Sequence, residues 1–188
     1  MTIIEKAKNF YCEEIVNLKR FAKLHRAHVE ELEKLIEGIS LGRPEADKEI
    51  LLLAVWLHDI GFIRDGGGDD HAITGEIIAR EWLEKEGYDK NKAERVLHCV
   101  RSHRCKDVQP ETLEAKIIAF ADSASHMTQG IYIDMLKEER EGSTYDPLQK
   151  LERDWRDLSF FPEMKNKFEA LYEAWRKLIE AYREINIK

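Results

Sequence analysis

Ile50-Leu51-Leu52-Leu53-Ala54-Val55-Trp56-Leu57-His58-Asp59-Ile60-Gly61 is the stretch that decides the fold. It is apolar nearly all round through Leu57, so as a helix it belongs at the centre of a domain rather than on its surface. It ends on a histidine and an aspartate. A carboxylate at the end of a buried run is expensive unless it is paired or bound to a cation, and a divalent ion is the simplest compensation. The C-terminal end of a helix also carries a partial negative charge, which favours a cation there.

Working outward, the pattern is helical on both sides. Residues 24–39 place Leu24, His28, Leu32, Leu35 and Ile39 at spacings of three and four, a buried helical stripe. Gly42-Arg43-Pro44 breaks the chain, Pro44 suits the first turn of the central helix, and Gly61 suits its C-terminal end. Gly66-Gly67-Gly68-Asp69-Asp70 reads as a loop, a surface connection or a lid, with Asp70 capping a helix over about 71–86 that carries Gly75, Ile78 and Trp82 on one face. Another helix over about 90–103 turns Ala93, Val96, Leu97 and Val100 inward. Pro110-Glu111 opens the helix holding Leu113, Ile117, Ile118, Ala121 and Asp122. Upstream, Thr2 and Glu5 form a capping box for a first helix. Downstream, residues 126–140 read as continued helix, Gly142, Pro147 and Phe161-Pro162 mark breaks, and 163–185 form a long amphipathic helix. No alternating apolar/polar run resembles a strand, so the expected class is all-α.

Composition narrows the function. Hydrophobic residues at 43% and charged residues at 36% suit a helical domain with charged outer faces. The 188 residues are read as a single domain with a sizeable core. A net charge of −7 with no basic tail argues against a polymeric nucleic acid as partner, while leaving room for a local cationic pocket. Cys12, Cys99 and Cys105 are odd in number and contain no C-x-x-C pair, which speaks against disulfides and cysteine zinc sites and for free thiols in a reducing cytoplasm. Glu5, Lys6 and Lys8 are unlike a signal peptide, and the apolar run at 50–57 is far short of the ~20 residues a membrane span needs, so no membrane partner is expected.

The helical phases bring chemistry together. His28 shares the stripe of Leu32, His103 that of Val96 and Val100, Asp122 follows Ile118 by four residues, and His71 precedes Gly75 by four. Each therefore points inward, around a central helix that offers His58 and Asp59. One histidine on an apolar face is usually a hydrogen-bonded core residue. A set this large needs many specific partners if no metal is present, at roughly 1–3 kcal/mol for each group left unsatisfied. Bundle cores are also where helical proteins build metal sites.

In this order, His28 … His58-Asp59 … Asp122 resembles the H…HD…D signature of the HD-domain superfamily of metal-dependent phosphohydrolases. The flanking text His28-Val29, Leu53 to Gly61, His71-Ala72-Ile73-Thr74-Gly75-Glu76 and Ile117 to Asp122 agrees. The resemblance covers about residues 20–125, the HD core, and leaves about 126–188 as a helical extension whose aromatic stripe packs on that core or offers a homodimer contact. It implies an all-α HD-domain bundle in which His28, His58, Asp59 and Asp122 bind a first metal. It also places His71 and His103 where dinuclear members hold a second metal, with Asp59 bridging; the alternative for these two is a phosphate contact or a water-held position. Mixed imidazole and carboxylate ligands suit iron, manganese, cobalt, nickel or zinc, one or two per chain, with magnesium also admissible.

By the same resemblance, the expected activity is hydrolysis of a phosphomonoester or phosphodiester in a small phosphorylated substrate, a nucleotide first among them, by a metal-activated water. Asp59, His71, His103 and Arg104 form the expected catalytic set. Arg104, Lys106 and Arg64 are candidate phosphate partners, although for Lys106 and Arg64 a solvated surface charge is commoner; Arg26 is expected on the outward side, and His25 could reach the pocket rim or simply pack; His98 and His126 have weaker helical phase. Asp65, Asp69 and Asp70 could assist a metal, although solvated loop carboxylates are commoner. The sequence departs from several subfamilies at one position. Phe62 stands where cyclic-dinucleotide phosphodiesterases have the lysine of HDIGK and where bacterial deoxynucleotidases have a glutamate; no GYP motif occurs, and Phe62-Ile63 replaces the acidic pair of alarmone hydrolases. Two alternatives stay open: a dinuclear-iron oxygenase, whose six ligands run in this order, and a non-catalytic metal- or nucleotide-binding regulatory module, favoured by the side chain missing at Phe62.

Overall fold

The central apolar run forms α3 (Lys48–Leu57), and Ile50, Leu51, Leu53, Ala54, Val55, Trp56 and Leu57 are all buried. The structure is a computed structural model that describes residues 1–16, 18, 22–65 and 71–185, and every regular element among them is helical. The order is α1 (Ile3–Ile15), α2 (Ala22–Ser40), α3, α4 (Ile60–Asp65), α5 (His71–Lys85), α6 (Lys90–Ser102), α7 (Leu113–Gln129), α8 (Tyr132–Arg140), α9 (Pro147–Asp157), α10 (Pro162–Lys165) and α11 (Glu169–Glu184). No helix among the described residues is long and apolar enough to cross a membrane.

The chain divides into two compact units, Met1–Ala121 and Asp122–Lys188, with the boundary inside α7. In the first unit α1, α2 and α6 pack on α3, and α4 and α6 pack on α5. Asp47 caps α3 by accepting from the Glu49 and Ile50 amides, and the capping box expected at Thr2 and Glu5 opens α1. Buried Glu114 accepts from the Asp47 amide at 2.9 Å and from Arg95 at 2.8 Å, tying α7 to the start of α3 and the middle of α6. At the other side, Lys8 donates to Glu33 at 2.7 Å and the Trp56 indole donates to the same carboxylate at 3.2 Å, joining α1, α2 and α3.

Several expected details are corrected. Pro44 lies in the turn before Asp47, so α3 opens on an aspartate cap and not on a proline. Leu24 is 43% exposed; the buried stripe of α2 is His28, Val29, Leu32, Ile36 and Ile39. Residues 126–140 are not one helix, because Gly130 takes φ +69 and ends α7. The long C-terminal helix is likewise interrupted, with a 3₁₀ turn at Asn166–Phe168 between α10 and α11. The loop Gly66–Asp70, read as connection or lid, with its cap Asp70, lies outside the described residues.

Gly61 has a different role from a helix stop. It is buried inside α4, and a Cβ there would lie 2.1 Å from the His71 carbonyl oxygen and 2.5 Å from the Gly75 amide nitrogen. Two glycines thus let the backbones of α4 and α5 touch. Gly61→Ala is expected to cost about 1–3 kcal/mol or more in urea unfolding, because backbone rather than a side chain must move. Gly38→Ala in α2, where an added Cβ meets nothing within 4 Å, is expected to stabilise by about 0.5–1 kcal/mol. Equal effects at the two positions would contradict the close approach.

In the second unit α8, α9 and α11 pack together. The Trp175 indole donates to the Met127 carbonyl at 3.0 Å and its ring lies against Tyr132, with centroids 5.5 Å apart. Trp155 stacks on Tyr172, and Arg183 pairs with both Glu139 and Asp146. Burial pushes the Asp157 carboxyl up to about 6, against the pull of Arg156 and helped by Asp154. A carboxyl raised in the folded state holds its proton more tightly folded than unfolded, so stability falls as pH rises from the ordinary 3.8 to about 6. Asp157→Asn removes that loss: its Tm advantage over wild type should grow across this window and level off above it. A difference constant from pH 4 to 8 would contradict the assignment.

Candidate metal centre

α3 ends at Leu57, and His58 and Asp59 form the turn into α4. The His58 amide still donates to Ala54 at 2.8 Å, so the imidazole is set by helical geometry although the chain is about to turn. His28 comes from the middle of α2, His71 is the first residue of α5, and His103 caps the end of α6. The Gly61–Gly75 approach brings the start of α5 beside the turn. His58 is fully buried, His103 2% exposed and His28 7% exposed.

Asp59 is the meeting point. Its Oδ2 lies 3.7 Å from His28 Nε2 and 3.4 Å from His58 Nε2, and those nitrogens are 3.2 Å apart. Its Oδ1 lies 3.6 Å from both His71 Nε2 and His103 Nε2, which are 3.3 Å apart. One carboxylate therefore completes two triangles, each of two imidazole nitrogens and one oxygen. An ion about 2.0–2.1 Å from each donor separates the donors by about 3 Å in octahedral and about 3.4 Å in tetrahedral geometry. Both triangles match that spacing, and the donor set suits a divalent transition metal.

Tautomers are set from behind. His58 Nδ1–H donates to the Val55 carbonyl at 2.8 Å and His103 Nδ1–H to the Val100 carbonyl at 2.6 Å. Each bond leaves the Nε2 lone pair facing Asp59, the arrangement typical of ligating histidines. Burial alone would raise the Asp59 carboxyl, but the imidazoles outweigh it, His58 first and then His71 and His103, and hold it well below the usual carboxylate range. Burial pushes the His25 imidazole down, against the pull of Asp59, favouring its neutral form.

Phe62 occupies the position where other subfamilies carry a lysine or an acid. Its ring packs 4.9 Å from the His25 ring and edge-on to His71 at 5.6 Å. Arg104 is half-buried in the turn after α6, where the Cys105 amide donates to Ser102 at 2.9 Å and Cys105 takes φ +51. This left-handed conformation, costly for a non-glycine residue, turns the chain one residue after Arg104. Arg64, a candidate phosphate partner or solvated charge, forms two hydrogen bonds to Glu14 at 2.9 and 2.6 Å. Arg26 pairs with Glu30, and Lys106 is exposed. The Asp65 side chain, Asp69 and Asp70 lie outside the described residues.

Asp122 opens the second unit and is buried on α7. His126, one turn later, places Nε2 3.5 Å from Asp122 Oδ1. Its phase set it aside in the sequence, although the i, i+4 spacing to Asp122 is the signal that finds it. His98, also set aside, has a structural role: its Nε2 accepts from the Glu111 amide at 3.0 Å.

A model of the HD domain matches residues 18–127, more than half of the chain, and the chain belongs to the HD-domain family. Among solved structures, a predicted HD superfamily hydrolase from an uncultured Thermotogales bacterium superposes with a TM-score of 0.56 at 23% identity, covering 88% of this chain and 91% of that one. At that identity the likeness is one of fold.

Imidazoles must be deprotonated to ligate, so uptake of a divalent ion should weaken as pH falls below about 6.5. Calorimetric titration with Mn²⁺ between pH 5 and 8 checks this; an affinity independent of pH would speak against histidine ligation.

Proposed function

We propose that this protein is a metal-dependent phosphohydrolase acting on phosphate esters of a small substrate, with nucleotides the first class to test. The observation that carries this reading is the division of the two Asp59 oxygens between two imidazole pairs. In the proposal His28, His58 and Asp59, joined by Asp122 as in the family motif, hold a first ion, and His71 and His103 share Asp59 to hold a second. Such ions, when bound, lower the pKa of water and neutralise charge on phosphoryl oxygens. The carbonyls of Val55 and Val100 keep His58 and His103 in the ligating tautomer. Phe62 can neither accept nor give a proton; its ring closes the side of the centre next to His25 and His71. Arg104 supplies a guanidinium fork suited to a phosphate.

Protein purified without chelator or affinity-tag nickel is expected to hold close to two ions per chain and to release phosphate or a nucleoside monophosphate from a nucleotide panel. His71→Ala should drop the content to one. Asp59→Ala should lose both metal and activity, and an active, metal-loaded Asp59→Ala would overturn the reading. A second reading, a dinuclear-iron oxygenase, is favoured by the His71–His103 half, which repeats the geometry of the first. Iron at two per chain with oxygen consumption distinguishes it.

A further inference from the structure

The second unit contains a buried polar chain that the proposed chemistry does not use. Asp154, on α9, is 1% exposed. Its Oδ2 accepts from the hydroxyl of Tyr132, itself fully buried, at 2.7 Å. Its Oδ1 accepts from Lys150, one turn earlier on the same helix, and lies 3.3 Å from His126 Nδ1. Burial raises the Asp154 carboxyl, but Lys150 and then His126 outweigh it, so the group is held below its ordinary value. An ionised carboxylate this deep is kept only where its partners are well placed.

Lys150 Nζ lies 2.9 Å from His126 Nδ1. An ammonium has donors only, so Lys150, the nearer partner, takes the lone pair at Nδ1; the Asp154 carboxylate, 3.3 Å from the same nitrogen, is then held by Lys150 and not by the ring, and the ring proton stands on Nε2. That nitrogen faces Asp122 Oδ1 at 3.5 Å. The order is thus Tyr132 and Lys150 on Asp154, Lys150 on His126, and the His126 N–H toward Asp122.

We propose that His126 is a positioning residue for Asp122. Its Nε2–H, fixed by Lys150, which Asp154 in turn holds in place, donates to one carboxylate oxygen and leaves the other to the ion. This rests on the reading of Asp122 as a metal ligand. The physical reason is that a ligating carboxylate otherwise rotates between orientations, and a donor behind it removes that freedom; partners of this kind are typically worth 10–100-fold in metal affinity. Lys150, Asp154 and Tyr132 come from α9 and α8, within the same unit as His126 and Asp122.

The test is Mn²⁺ affinity, by competition titration, of the full chain with His126→Ala, His126→Gln and His126→Asn, alongside the Tm of each metal-free protein. A glutamine amide reaches close to the place of Nε2 and keeps a donor there; alanine removes it and asparagine is too short. The expected result is a 10–100-fold loss in His126→Ala and His126→Asn, with His126→Gln near wild type and the metal-free Tm values of the three within a few degrees. Equal affinity in wild type and His126→Ala overturns the inference while leaving the metal reading intact. A loss in His126→Gln as large as in His126→Ala also overturns it, pointing to the imidazole as itself a ligand. A wild type that takes up no ion overturns the metal reading, and this inference with it. Should His126→Ala fail to fold, His126→Gln against His126→Asn gives the same comparison.

Discussion

One carboxylate organises the first unit. Asp59 sits in the turn after a largely buried helix, beside imidazoles from α2, α5 and the end of α6 and from its own chain neighbour. Four ring nitrogens surround its charge within 3.7 Å, and because at least His58 and His103 turn lone pairs toward it, the cluster needs a proton or a cation to offset that charge. The close approach of Gly61 and Gly75 serves this cluster. Without it, α5 could not bring His71 to the Oδ1 side, and His103 would face that oxygen alone.

The division of labour behind the histidines has the same economy of parts. His58 and His103 are both at helix ends, and each spends its Nδ1 proton on the carbonyl three residues earlier. A helix terminus leaves such carbonyls without intrahelical partners, so the bond satisfies the helix and fixes the tautomer together. Phe62 adds an apolar wall where related subfamilies place a titratable group, which shifts the proton handling of any reaction away from that position. The second unit repeats the logic with a buried Asp154 held by Tyr132, Lys150 and His126.

Much of this was legible in the amino-acid order. The apolar run at 50–57 announced the central helix, the phases of His28, His71, His103 and Asp122 announced inward donors, and the H…HD…D order announced the family. The misread details are those where a local signal competes with packing. Pro44 and Gly61 looked like helix punctuation; Asp47 caps the helix instead, and Gly61 is glycine because another backbone occupies the place of its Cβ. Leu24 fitted the stripe by spacing but lies near an end of α2 that the core does not cover. Arg64 was a free cation on paper and is spent on Glu14, fifty residues away in sequence.

The sequence by itself determined that the protein is helical, which helix is central, and which residue types face inward, because these depend on period and polarity along a single chain. Only the tertiary structure decided that Asp59 divides its two oxygens between two histidine pairs, that Gly61 and Gly75 bring two backbones into contact, and that His126 lies 3.5 Å from Asp122. Those are distances between side chains on different helices or at different turns of one. They are set by packing and by the burial of charge, which no periodicity encodes.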